Sequence, residues 1–180
     1  MRVRSLVVLA VAFVPAFAAA DTPRPYAGFE ARPIKALSEQ QISDLRAGRG
    51  MGFALAAELN GYPGPVHVLD LADKLGLDAA QRARMQALFD AMKAEAVPLG
   101  ETLIAQEVAL DRAFSSRTVT EASLSDALSQ IGRTQAALRN THLKYHLETR
   151  ALLSAHQIAL YGALRGYGDG RGGGEHKHRH

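Results

Sequence analysis

Apolar side chains recur every three to four residues along two long stretches of this chain, the spacing that keeps them on one face of a helix. On the first stretch the seam is Phe89, Met92, Ala96, Leu99, Leu103, Gln106, Leu110 and Ala113. On the second it is Leu124, Leu128, Ile131, Gln135, Leu138, His142, Tyr145, Thr149 and Leu152. Strand-like alternation is hard to find. The pattern predicts a long helix over Ala79 to Phe114, a loop over Ser115 to Val119, and a second long helix from a Thr120 cap to about Leu152. A short loop between two long helices makes them antiparallel. Folding about Arg117 and Thr118 pairs Phe89 with Leu152, Ala96 with Tyr145, Leu99 with His142 and Leu103 with Leu138. The same fold sets Gln106 against Gln135, an amide pair able to fix the register, and Glu95 against His146. Pro98 removes one backbone hydrogen bond and should bend the first long helix near His142.

Three short segments share one form: L-S-E-Q-Q at Leu37 to Gln41, L-D-A-A-Q at Leu77 to Gln81, and L-S-A-H-Q at Leu153 to Gln157. Each is a capping box, in which Ser38, Asp78 or Ser154 accepts from a new helix and Gln41, Gln81 or Gln157 reaches back. These starts predict a first helix over Glu39 to Leu59, ended by the breaker N-G-Y-P-G-P at Asn60 to Pro65, with a possible break near Arg49 to Gly52. Gly48, Gly50 and Gly52 weaken that helix, and glycines at every second position share no single helix face. A short helix over Val66 to Leu75 and a last one over Ala155 to Leu164 complete the set. The fold class expected is all-α: an elongated, bent, antiparallel helical hairpin with additional short helices. With so few aromatic residues, a cradle-like homodimer is a reasonable way to cover its remaining faces.

The ends read differently. Met1 to Ala20 has Arg2 and Arg4, then an apolar run from Ser5 to Phe17, then Ala18 and Ala20 in A-x-A spacing, which is the form of a cleavable signal peptide. The expected location is the periplasm. Asp21 to Ala36 carries Pro23, Pro25 and Pro33 and reads as an extended arm. Residues 166–180 read as a Gly-rich tether with His176, His178 and His180 at its tip. The packed domain is thus expected over residues 37–165. Charge follows the ends: setting aside Arg2, Arg4, Arg171, Lys177, Arg179 and Glu175 from 21 basic and 18 acidic residues leaves 16 and 17. A near-neutral centre argues against nucleic-acid binding. The chain has no Cys, so disulfides and thiolate chemistry are excluded. No G-x-S-x-G, H-E-x-x-H or phosphate loop occurs, and no enzyme is expected.

Capping motifs of the form L-[ST]-x-x-Q on a small exported helical chain resemble those of the Spy/CpxP family of periplasmic proteins. Leu153, Ser154 and Gln157 fit the motif; Leu77, Asp78 and Gln81 fit it with Asp for Ser or Thr. The likeness covers about Leu69 to Leu164, and the segment Arg46 to Pro65 departs from the founding members. The resemblance implies a cradle-shaped dimer that acts as an ATP-independent chaperone or an envelope-stress accessory. Its partners would be unfolded or misfolded envelope proteins and a membrane sensor protein. Candidate client-facing residues are Met85, Leu88, Ile104, Leu143 and Leu147.

The alternative is heavy-metal binding or sensing. His142 and His146, four apart, lie on one helix face and can share an ion, with Glu95 opposite in the hairpin register. Two imidazoles and a carboxylate suit Zn, Ni, Co or Cu. The arrangement is similar to that of CnrX-like sensors, which also draw ligands from the first helix, where this chain offers only Met51. The competing reading is one seam histidine and one surface histidine. The tail histidines form a weak metal tract or a solubilising tail.

Overall fold

The computed structural model describes residues 24–167. The signal peptide read over Met1 to Ala20 and the tail histidines His176, His178 and His180 lie outside them. Among the described residues a short 3-10 helix, Phe29–Ala31, is followed by six α-helices: α1 Glu39–Arg46, α2 Leu55–Glu58, α3 Pro65–Asp70, α4 Ala79–Ser115, α5 Glu121–Ala151 and α6 Ala155–Arg165. Among the described residues there is no strand. The α4–α5 pair is the hairpin that the apolar seam predicts, turned at Arg117 with a φ of 57°.

Helix starts follow the side chains read as caps. Ser38, Asp78 and Ser154 each accept from the third residue of a helix, and Gln41, Gln81 and Gln157 accept from the cap's own N–H. Thr120 makes a fourth box with Ser123. The second and third boxes are more than helix starts, which is how the sequence alone presents them. Gln81 and Gln157 exchange amide hydrogen bonds of 3.0 and 3.1 Å. Gln81 Nε2 also donates to Leu152 O at 3.0 Å. Two caps far apart in sequence thereby tie the start of α4 to the start of α6, and their planar amides complete each other.

Two apolar clusters form along the hairpin. One holds Leu45 of α1, Ala96, Leu103 and Ile104 of α4, and Ile131 and Leu138 of α5. The other holds Val68, Leu75, Leu77, Met85 of α4, Tyr161 of α6, and Leu153 from the turn before α6. Between them α4 and α5 present Met92, His142 and His146. This gap between clusters positions the candidate site.

Three expectations are corrected. The helix predicted over Glu39 to Leu59 is two helices, broken at the glycine-rich stretch read as allowing a break near Arg49 to Gly52, where Gly48 turns to a φ of 66° and Met51 to 45°. Gly100 has the same close-packing role on α4: the backbone of Leu45 lies directly over its Cα, with the carbonyl carbon 2.9 Å from where a Cβ would sit. The N-terminal arm is not outside the packing, since Ile34 enters the first cluster and Lys35 pairs with Asp111 at 3.3 Å. A single apolar residue beside Pro33 carries no periodicity to announce this. The Gln106–Gln135 pair does not form: Gln135 is exposed and Thr134 takes the seam beside it.

Candidate functional site

The site is built from α5 outward. His142 and His146 share one face because four residues is close to one helical turn. Both are buried, at 2 % and 6 % exposure. They line a cavity of about 650 Å³ together with Met51, Glu58, Phe89 and Met92. The opposite wall is the segment between α1 and α3.

Glycines let that wall approach the imidazoles. A Cβ on Gly50 would lie 3.2 Å from His142 Nδ1, and one on Gly64 only 2.9 Å from His146 Cε1 and Nε2. The Gly48, Gly50 and Gly52 run thus has a tertiary rather than a helical explanation for its first two members. Gly48 sits on Val97 and Ala96, and Gly50 sits on His142. Phe53 stacks on the His142 ring at a centroid distance of 6.1 Å.

The N-G-Y-P-G-P breaker wraps the other histidine. His146 Nδ1 donates to Tyr62 O at 2.6 Å. Arg150, one turn further along α5, donates to Gly61 O and stacks over Tyr62 at 4.6 Å. Glu58 closes the site from α2. Its carboxylate accepts from Gly64 N at 3.1 Å and from the Tyr161 hydroxyl, with His146 Nδ1 at 3.7 Å and Arg165 Nε at 3.8 Å. Burial and this hydrogen bond push the Tyr161 hydroxyl well above the ordinary phenol range.

His142 is buried in the α5 wall. Its Nε2 has no hydrogen-bond partner. Burial, reinforced by repulsion from His146, lowers its pKa from 6.5 to about 4. The ring is therefore neutral near pH 7 and offers a nitrogen lone pair. The unfolded chain takes up this proton near 6.5, the folded chain only near 4. Acid therefore draws the protein toward the unfolded state, and stability contributed by His142 is lost as pH falls from about 6.5 to about 4. The expected loss is roughly 3 kcal/mol across that window. Urea titrations of metal-free wild type and His142→Gln at several pH values isolate it: the difference between the two slopes should vanish above pH 7 and grow below about 6.

The expected three-residue centre is only partly assembled. His142 and His146 meet at one cavity, but Glu95 does not. Its carboxylate receives Lys144 and Tyr145, at 2.8 Å each, which also lowers its pKa. The hairpin register is nearly the one expected along the axis. The error is angular: Tyr145 and His146 point roughly 100° apart on the helix, and Glu95 reaches the former. Among the described residues no three His, Cys, Asp or Glu side chains converge to hold an ion. Leu77, Asp78, Gln81, Leu153, Ser154 and Gln157 serve the helix starts and stand away from this wall. Glu58, Met92 and the two glycines were not singled out as site residues by pattern; the unexplained glycine spacing was the one signal pointing here.

No family model, no curated protein and no solved structure matches the chain.

Proposed function

We propose that this chain is an exported envelope-stress accessory of the Spy/CpxP-like kind that works by binding a transition-metal ion between α4 and α5. One observation carries the reading: two buried imidazoles, one turn apart, line a single cavity, with His146 held through Nδ1 by Tyr62 O and His142 Nε2 unpartnered. A hydrogen bond from the far nitrogen to a carbonyl is the usual way proteins orient a metal-ligating histidine. The tail histidines would add a weaker second site. In the full reading the helical hairpin forms a cradle-like dimer that reports occupancy to a membrane sensor protein.

The test is calorimetry on the full chain with His176, His178 and His180 replaced by Ser, titrated with Zn, Ni, Co and Cu ions. One ion per chain is expected, with binding abolished in His142→Ala and His146→Ala variants that keep their helical circular dichroism. Binding that disappears with the tail histidines alone would refute the buried site.

A second reading, ATP-independent chaperone activity, is favoured by Leu55 on α2, Leu59 just after it and Leu147 on α5. These stay 54 %, 58 % and 58 % exposed, and α2 packs on α5. Exposed apolar patches mark binding surfaces. Two of the client-facing candidates are lost, since Met85 and Ile104 are buried in the apolar clusters. If clients bind here, Leu55→Ser with Leu147→Ser should cut suppression of client aggregation severalfold without ATP. An unchanged light-scattering trace would remove this surface from consideration.

A further inference from the structure

The turn between α2 and α3 holds a reactive pair of its own, Asn60 and Gly61. We propose that this pair is a site of spontaneous deamidation, and that its isoaspartate product releases the wall of the cavity from α5. The inference goes beyond the metal reading and does not depend on it.

The chemistry needs only water and a backbone nitrogen. Gly61 N gives its proton to solvent base and attacks Asn60 Cγ. The new C–N bond closes a succinimide ring, and the side-chain nitrogen leaves as ammonia, completing its protons from water. Water then opens the ring. Attack at the side-chain carbonyl leaves aspartate. Attack at the main-chain carbonyl leaves isoaspartate, whose main chain runs through Cβ and Cγ of residue 60. In sum, one amide and one water become one carboxylate and one ammonium ion, with no change of oxidation state.

Three features of the turn favour this step. The nucleophile is free. Asn60 N–H and Tyr62 N–H both donate to Ala57 O, at 3.0 Å each, while Gly61 N–H donates to no backbone oxygen among the described residues. Gly61 also has no Cβ to shield its nitrogen, and it holds a φ of 77° at no steric cost. A cation stands beside it. Arg150 donates to Gly61 O, and its Nη1 lies 3.7 Å from where a Gly61 Cβ would sit. A positive charge this close favours the deprotonated amide over the neutral one. The electrophile meets water: Asn60 is exposed, and its amide donates to Ala56 O at 2.9 Å on the surface. Asn140 is the other asparagine of the chain, and it lacks these features. The next nitrogen there belongs to Thr141, inside α5 and 4 % exposed.

The product matters because of where it forms. Gly61 O receives Arg150, and Tyr62 O receives His146 Nδ1 at 2.6 Å. These two carbonyls tie the turn to α5. Isoaspartate inserts a main-chain carbon just before them, which displaces them by about one C–C bond, roughly 1.5 Å. Hydrogen bonds do not survive a shift of that size. Gly64, packed on His146 further along the turn, loses its seat with them.

The test ages the full folded chain in mildly alkaline buffer and follows its tryptic peptides by mass spectrometry. Asn60 lies in the peptide Gly50 to Lys74 and Asn140 in Asn140 to Lys144. Isoaspartate is detected with isoaspartyl methyltransferase and a labelled methyl donor. The tail pair Asp169–Gly170 forms the same ring without a change of mass, so the label is assigned peptide by peptide. Asn60 should convert at least about tenfold faster than Asn140, the factor that one hydrogen bond on the nucleophile is worth. Hydrogen exchange should then be faster in the Gly50 to Lys74 peptide of aged protein than of fresh protein, with helical circular dichroism retained. Aged Asn60→Ser, which cannot form the ring, should exchange like fresh wild type. Conversion of Asn60 no faster than that of Asn140 overturns the site. Unchanged exchange in the isoaspartate form, or equal loosening in aged Asn60→Ser, overturns the release of the wall.

Discussion

Replacing Glu58 by Ala should cost about 3–5 kcal/mol of stability, the most of any single substitution in this protein. The carboxylate is 7 % exposed and holds four groups from three parts of the chain. Gly64 N–H and the Tyr161 hydroxyl donate to it, and His146 and Arg165 flank it. Truncation removes one acceptor and strands two buried donors, each of which then loses its hydrogen bond without regaining water. Arg165 is left beside them without its counter-charge. Glu58→Gln keeps an acceptor oxygen and should lose less than half as much. Guanidinium unfolding of the two variants measures this, with an unchanged m-value showing that stability alone has moved. Equal losses in the two would mean that shape rather than hydrogen bonding holds the site. The consequence reaches the cavity, because Glu58 links α6 to Gly64 on one wall and stands beside His146 on the other.

The second large effect is expected at Gly100, and it runs against helix propensity. In a free helix Gly→Ala gains roughly 1 kcal/mol. At Gly100 the added methyl meets the Leu45 backbone, so α1 must lift off α4. Overpacking of this kind typically costs about 1–3 kcal/mol, and a rigid backbone neighbour puts Gly100→Ala at the upper end. Gly132 in α5 is the control, since nothing lies within 4 Å of its added Cβ. Gly132→Ala should stabilise by roughly 0.5–1 kcal/mol. Opposite signs in urea midpoints for the same chemical change would locate the effect in the α1–α4 contact. Two stabilised variants would show that α1 does not sit where described.

Much of the architecture was legible because it rests on local rules. Caps read from Ser38, Asp78 and Ser154 start helices at Glu39, Ala79 and Ala155. A cap depends on residues within one turn, so a sequence displays it directly. The long seam was legible for a similar reason: a repeat over many turns averages out single exceptions. His142 and His146 were legible as a pair because their spacing on one helix is itself local.

The rest of the site was not, and Glu95 shows why. Loop length and spacing locate the level at which two helices meet, but the rotation of each helix about its axis decides which neighbour a side chain touches. A rotation of one residue gave Glu95 to Tyr145 and left His146 to Glu58. Glu58 sits on a four-residue helix before a breaker, with no periodic pattern to mark it. The alternate glycines were visible but uninterpretable, since Gly48 accommodates Ala96 and Val97 of α4 and Gly50 accommodates His142 of α5, all distant in the chain.

By itself, then, the sequence determined the helical class, the ends of the main helices, the antiparallel hairpin and the imidazole pair, because all of these are set by contacts within a few turns or by a long repeat. Tertiary structure alone decided that the segment between α1 and α3 closes over those imidazoles, that Glu58 rather than Glu95 stands beside His146, and that Met51 and Met92 open onto the same cavity. Those are meetings between distant segments, and they follow from packing around Gly50, Gly64 and Gly100, where a missing Cβ lets one backbone come close to another part of the chain.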